Sequence, residues 1–273
     1  MLNDGHDVVI TGRSRVVPLH FFQNVDYRKA ELSVNEDWRA ITQDVNAVVH
    51  CAFAHQQGRY RGGEGDDPVG FRSANVDASL ALANTARQSG VERFIFLSSR
   101  AVYDGFPPGS ILAEDLHVAP TTLYGEVKRD VETGLAALDD DHFKTFCLRA
   151  TGIYGPGSHR QTHKWTSLFE SYRLGKPISP RVATELHAAD LADAASRLLA
   201  IPSSSALSAP MIMNASDIVL DRHDLLNAYS AATGIAQPLP PRADSAGLNI
   251  MTCSRLRAIG WAPRGHLDLN GMI

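Results

Sequence analysis

No apolar run in this 273-residue chain approaches the ~20 residues that a membrane-spanning helix needs. Charge of one sign is not in excess either: 26 Lys and Arg stand against 30 Asp and Glu, for a net charge of −4. Neither a nucleic-acid-binding surface nor a polybasic membrane patch is expected. No signal peptide is expected, because Asn3, Asp4 and His6 interrupt any apolar stretch at the start. Cysteine is scarce, with Cys51, Cys147 and Cys253 odd in number and without Cys-x-x-Cys spacing. That excludes a disulfide framework and fits a reducing cytoplasm. Cys51 and Cys147 sit in apolar strand-like runs and read as buried thiols. The eleven histidines show no metal-binding spacing, so no metal is expected. His159, His163 and His187 read as surface or substrate-loop residues. No internal repeat is evident.

What is present is an ordinary globular composition, 44% hydrophobic and 21% charged, with enough length for one large core or two unequal lobes. Short apolar runs alternate with helical patterns. Strands are predicted over 7–11, 46–52, 94–97 and 143–149, and helices over 74–89, 122–138 and 188–200. Gly90 stops the first helix in the C-cap role. Apolar strands spaced by helices point to an α/β fold, a doubly wound parallel sheet covered on both faces. The stretches 55–67 and 107–121 read as loops, and Gln237-Pro-Leu-Pro-Pro241 as a stiff linker.

The chemistry concentrates in Tyr124-Gly-Glu-Val-Lys128. Positions i and i+4 are neighbours on one helix face. A cation beside a phenol favours the phenolate, which brings Tyr124 towards general acid/base work at neutral pH. Tyr-x-x-x-Lys arises by chance about one time in eight in such a composition, and the default for it is a solvated surface pair. Its placement counts for more. The run Arg93-Phe-Ile-Phe-Leu97 leads into Ser98-Ser99, and a loop then delivers the pair at the start of a helix. Proton transfer at a carbinol or carbonyl, partnered by hydride transfer, is the chemistry this suggests.

Six stretches taken in order resemble the extended short-chain dehydrogenase/reductase family, of the NAD-dependent epimerase/dehydratase type. They are Val48–Ala54, Asn75–Gly90, Phe94–Asp104, Leu148–Gly157, His187–Asp193 and Ser254–Pro263. The resemblance implies a Rossmann-like dinucleotide-binding domain over 1–155 and a smaller substrate lobe over 156–273, with some segments returning to the first domain. It implies Tyr124 as acid/base, Lys128 lowering its pKa and holding the nicotinamide ribose, and Ser99 on the reacting oxygen, with Ser98 as its substitute. It places Ala52, Phe53, Ala54, Asn75 and Ala150 near the cofactor, and Arg100, Thr151 and Arg181 near the substrate. For Asn75 the alternative is helix–helix packing, and for Ala52 plain strand core. Family helices near 80–90 and 125–138 often form a homodimer.

The chain also departs from the family. The strand, Gly-x-x-Gly-x-x-Gly turn and helix that open the family fold have no counterpart here, and Met1–Gly5 reads as the end of that helix with its glycine cap. About 20–25 residues are missing by average element lengths. In the order 3-2-1-4-5-6 the first strand is central, and its loss leaves two neighbours with unpaired ladder groups at about 1–3 kcal/mol each. The expectation is an N-terminally shortened form of a longer protein; the rival is a variant whose sheet has closed the gap. Gly152-Ile-Tyr-Gly-Pro-Gly157 reads as the substrate-side loop, because Pro156 and the polar residues after it make a poor helix start. Thr11–Arg15 offers no carboxylate for a ribose hydroxyl, while Arg13 suits a 2′-phosphate; this favours NADP slightly over NAD, the alternative being an exposed loop arginine. Glu31 and Leu32 are expected to flank the adenine. Ala183 stands where nucleotide-sugar enzymes often carry an arginine, with Arg181 nearby, so a smaller sugar or carbonyl substrate stays open beside a nucleotide sugar.

The expected function is an NAD(P)-dependent oxidoreductase or epimerase acting on a small molecule through a Ser-Tyr-Lys site. The alternative is a non-catalytic or cofactor-deficient family member, or a truncated product without turnover.

Overall fold

The first residues fold as their pattern predicts. Leu2–Asp4 form a single 3-10 turn that ends at Gly5 with φ 83°, a left-handed conformation glycine adopts at no steric cost. The computed structural model describes residues 1–14, 25–55, 64–156, 162–201 and 211–273. Arg15, most of the glycine-rich loop expected at 55–67, Gly157 and His159 lie outside the described residues.

In chain order the elements are β1 (Val9–Gly12), β2 (Asp26–Lys29), α1 (Trp38–Thr42), β3 (Ala47–His50), α2 (Pro68–Arg72), a π-helical turn (Ser73–Asp77), α3 (Ala78–Gln88), β4 (Arg93–Ser99), a 3-10 turn (Arg100–Tyr103), β5 (Ile111–Leu112), α4 (Leu123–Leu138), β6 (Lys144–Ala150), β7 (Gly152–Tyr154), α5 (Thr166–Arg173), β8 (Val182–His187), α6 (Ala188–Ala200), β9 (Met211–Ala215), β10 (Ile218–Asp221), α7 (Arg222–Thr233), β11 (Ile250–Met251) and α8 (Ser254–Ala258). The α/β alternation expected from the apolar runs is present. Two compact units interleave along the chain. One is built from Met1–Gly105, His117–Arg149 and Ala195–Met213; the other from Phe106–Leu116, Ala150–Ala194 and Asn214–Ile273.

The first unit holds two sheets, β2-β1 and β3-β4-β6-β9. β1 pairs parallel with β2, and β3 parallel with β4. In the doubly wound order 3-2-1-4-5-6, the place left open between these sheets is that of the central strand. Among the described residues β1 and β3 are therefore sheet edges, and the gap has not closed. Burial follows from this. Phe94, Ile95 and Phe96 of β4 are at most 1% exposed, whereas Val9, Ile10, Ala47, Val48 and Val49 are only partly buried. The same edge corrects one expectation: Cys147, inside β6, is buried, but Cys51, just past the end of β3, is exposed. The core of this unit joins Leu82, Ala83 and Ala86 of α3 to Val131 and Leu135 of α4 over Phe94, Phe96 and Cys147.

The second unit carries β10-β8-β7 and the short pair β11-β5. β7 lies parallel to β8, and β10 antiparallel to it. Its core gathers Tyr154, Trp165, Phe169, Tyr172, Leu226 and Tyr229, with Phe169 stacked on Tyr229 at 4.2 Å. His187, expected at the surface or in a substrate loop, is buried at the end of β8, where its Nδ1 accepts a hydrogen bond from Ala189 N at 3.1 Å. Among the described residues no helix is long and apolar enough to cross a membrane.

Candidate active site

β4 is apolar until its last two residues, so it delivers Ser98 and Ser99 at the edge of a buried strand. Successive strand residues point to opposite faces, and the serines part company. Ser98 is 4% exposed and donates to Glu132 Oε1 at 2.6 Å. Ser98 thus has a place in the core. Ser99 is half-buried and caps the following 3-10 turn, its Oγ accepting from Ala101 N at 3.1 Å. One donor and one lone pair of that hydroxyl remain for another partner.

α4 starts where its sequence says it should. Thr122 is the N-cap, accepting from Gly125 N at 3.2 Å. The Asp104 carboxylate holds Thr121 N at 2.6 Å and also the Thr122 hydroxyl. Gly125 is required for close approach, since a Cβ there would stand 2.5 Å from the Ala101 carbonyl oxygen and 2.8 Å from Pro120 Cβ. The first turn of α4 thus packs directly on the turn that Ser99 caps, with Tyr124 half-buried beside it.

Lys128 is not the solvated surface lysine of the default reading. It is 4% exposed, and its Nζ donates to the Leu97 carbonyl at 2.8 Å. The ammonium stands 4.3 Å from the Phe53 ring centroid, 4.6 Å from that of Phe96 and 5.9 Å from that of Tyr124. Burial pulls its pKa from 10.5 down to about 7, against the opposing pull of Cys51, Glu132 and Cys147. Beneath it, Arg149 is 3% exposed, binds both oxygens of Glu132 and donates to Tyr103 Oη at 2.7 Å. Glu132 lies one helical turn beyond Lys128 on the same face, a spacing that could have signalled it in the sequence.

Asn75 is 1% exposed and sits inside the π-helical turn, a distortion frequent at functional sites. Its Oδ1 accepts from Ala54 N at 2.7 Å, and its Nδ2 donates to Ala54 O at 2.9 Å and Phe71 O at 3.0 Å. It therefore fixes the backbone of Ala54, in the irregular segment that also carries Ala52 and Phe53. Ala52 is exposed, not strand core. Nearby, His50 lies 2.9 Å from Ser79 Oγ, and burial lowers its pKa to about 3, so it is neutral.

The remaining expected residues are scattered. Arg13 is exposed just past β1, between Gly12 and Ser14, whose carbonyls both accept from Tyr27 Oη. Glu31 is exposed, with its backbone N–H bound to Glu36. Leu32 is half-buried and packs on the core of the first unit. Arg100 opens the 3-10 turn and is half-buried. In the second unit, Ala150 is buried, Thr151 is 6% exposed with Oγ1 lacking a hydrogen-bond partner among the described residues, and Arg181 is exposed just before β8. Sequence reasoning missed the ion pair of Lys164 with the buried Glu185, which fills the space a side chain at Gly152 would need.

The model of the NAD dependent epimerase/dehydratase family matches residues 1–211. UDP-glucose 4-epimerase of Vibrio cholerae is 31% identical over 134 residues, 48% of this chain and 40% of that protein. UDP-glucose 4-epimerase of Corynebacterium glutamicum is 26% identical over an alignment that takes in all of this chain and 88% of the relative. The chain thus spans well under two thirds of the first relative's length in the matched region. The solved structure of MoeE5 in complex with UDP-glucuronic acid and NAD has a TM-score of 0.74 at 20% identity, covering 99% of this chain and 89% of that one. At that identity the likeness is one of fold, and it is Rossmann-like. A family match across most of the chain, on a fold of this kind, leads to one conclusion: this chain belongs to the NAD-dependent epimerase/dehydratase family.

Proposed function

We propose that this chain carries the proton-transfer site of an NAD(P)-dependent epimerase or oxidoreductase acting on a sugar or nucleotide sugar. The observation that carries the proposal is the stacking of Tyr124 and a buried Lys128 on one face of α4, against the strand and turn that present Ser99. Tyr124 accepts the proton as a carbinol becomes a carbonyl and returns it in the reverse direction. The Ser99 hydroxyl is oriented by the Ala101 N–H and bonds the reacting oxygen. Lys128, while protonated, favours the phenolate.

The residues fit the nicotinamide end of a dinucleotide in kind: Tyr124, Lys128 and Ser99 stand together, and Asn75 fixes the backbone of Ala54. Among the described residues no glycine-rich turn opens a helix to cradle a pyrophosphate. A bound dinucleotide supplies the hydride acceptor and donor. Arg13 is the candidate for a 2′-phosphate, with Glu31 near the adenine end. Thr151, Arg181 and Arg100 are the candidates for substrate contact. Nucleotide sugars lead the substrate classes because relatives are UDP-glucose 4-epimerases. Homodimer formation through α3 and α4, and a cytoplasmic location, belong to the same proposal.

The test is calorimetric titration of the chain with NADH and NADPH, followed by proton NMR of UDP-glucose incubated with the protein and oxidised dinucleotide. The expected result is saturable binding, stronger for NADPH if Arg13 meets a 2′-phosphate, and conversion at the sugar. No binding of either dinucleotide would favour the non-catalytic reading, which the uncradled pyrophosphate end motivates.

A further inference from the structure

An ammonium has three N–H donors. That of Lys128 gives one to the Leu97 carbonyl and otherwise meets the rings of Phe53 and Phe96. The two rings are held very differently. Phe96 belongs to β4 and is 1% exposed. Phe53 lies in the irregular segment after β3 and is only half-buried. Its ring also stands edge-on to Tyr124, at 5.1 Å and 76°, and to Phe71, at 5.6 Å and 74°. The backbone on its C-terminal side is fixed by the paired hydrogen bonds of Asn75 to Ala54. One ring on an anchored segment thus stands against both the phenol and the ammonium.

We propose that Phe53 is the gating and positioning residue of this site: its ring covers Lys128 and Tyr124, and turns away to let ribose or sugar hydroxyls accept hydrogen bonds from the ammonium. The inference rests on the dinucleotide reading above. Its neighbours sharpen it, because Ala52 and Ala54 are small and only residue 53 has the bulk to reach the pair. A binding-competent state that is open only part of the time lowers apparent affinity by its population, so a ring open about one-tenth of the time costs about tenfold. A ring that instead serves as a stacking platform for the ligand has the opposite sign.

Reductive methylation of Lys128, followed by mass spectrometry across pH, reads the cover without any cofactor. It yields a limiting rate and an apparent pKa. In Phe53→Ala the limiting rate should rise about tenfold, and the apparent pKa should climb towards the ordinary lysine value as water reaches the amine. Phe53→Leu, which keeps most of the bulk, should stay near wild type. Calorimetry with NADH should show Phe53→Ala binding about tenfold more tightly. Unchanged methylation in Phe53→Ala overturns the gate, and so does weaker NADH binding. Faster methylation with no dinucleotide binding in either protein supports the cover and defeats the dinucleotide reading, so the two failures are distinct.

Discussion

Lys128 must be buried to stand beside Tyr124, and burial works against its charge. Its pKa in the folded protein, about 7, lies below the ordinary 10.5. Between those values the unfolded chain binds more protons than the folded one, so this residue makes stability rise with pH across that window. Below about pH 7 both states carry the proton and the burial cost is felt in full. Lys128→Met removes the dependence. Its stability advantage over the wild type should be greatest below pH 7 and shrink as pH climbs towards 10.5, which urea unfolding at several pH values will show. An advantage independent of pH would mean that the lysine is not held as described. The pair itself was legible in the sequence because helical spacing fixes i and i+4 on one face. Which of Ser98 and Ser99 turns into the core was not, because strand alternation says only that they face opposite ways. Ser98 does so, donating to Glu132, a partner distant in sequence. Phe53 went unread as a cover for the same reason: its contacts to Lys128 and Tyr124 come from packing between distant segments.

At the scale of elements, the buried strands and the longer helices were legible from apolar runs and periodicity. β4 and α4 fall within two residues of their expected limits, and α6 at Ala188–Ala200 matches them. β2 was not legible, because Asp26-Tyr-Arg-Lys29 is charged. It is a strand because β1 pairs with it and because Arg28 reaches the carbonyls of Ile41 and Gln43, each at 2.9 Å. Residues 152–157 were read as a substrate-side loop, because Pro156 and the polar residues after it make a poor helix start, yet β7 at their start pairs with β8 with Gly152 opposite Glu185. β6 is tied to α4 through Arg149 and Glu132, whose side chains are only 4% and 5% exposed. Removing one partner of a buried pair leaves the other charge uncompensated, at about 3–5 kcal/mol. Arg149→Met should therefore lower the unfolding free energy from urea titration by an amount of that order, and a loss under about 1 kcal/mol would show that water already solvates the pair.

For the whole molecule, the interrupted sheet is the dominant feature. The sequence pattern pointed to it: among the described residues no strand lies between β1 and β3, and both are sheet edges. Edge strands present unpaired ladder groups and open more readily than central ones. Hydrogen exchange should thus find the amides of β1 and β3 far less protected than those of Phe94–Phe96 in β4, and equal protection would mean that the gap is filled in solution. On the proposed reading, no glycine-rich turn cradles a pyrophosphate among the described residues, while Ser99, Tyr124 and Lys128 stand on β4 and α4. That contrast puts the central claim on Tyr124. The most direct measurement compares wild type and Tyr124→Phe for dinucleotide affinity by calorimetry and for UDP-sugar-dependent reduction of the nicotinamide by stopped-flow absorbance. Acid/base catalysis by Tyr124 predicts unchanged affinity with a rate lowered by about 10²–10⁴-fold. Equal rates in the two proteins would contradict it.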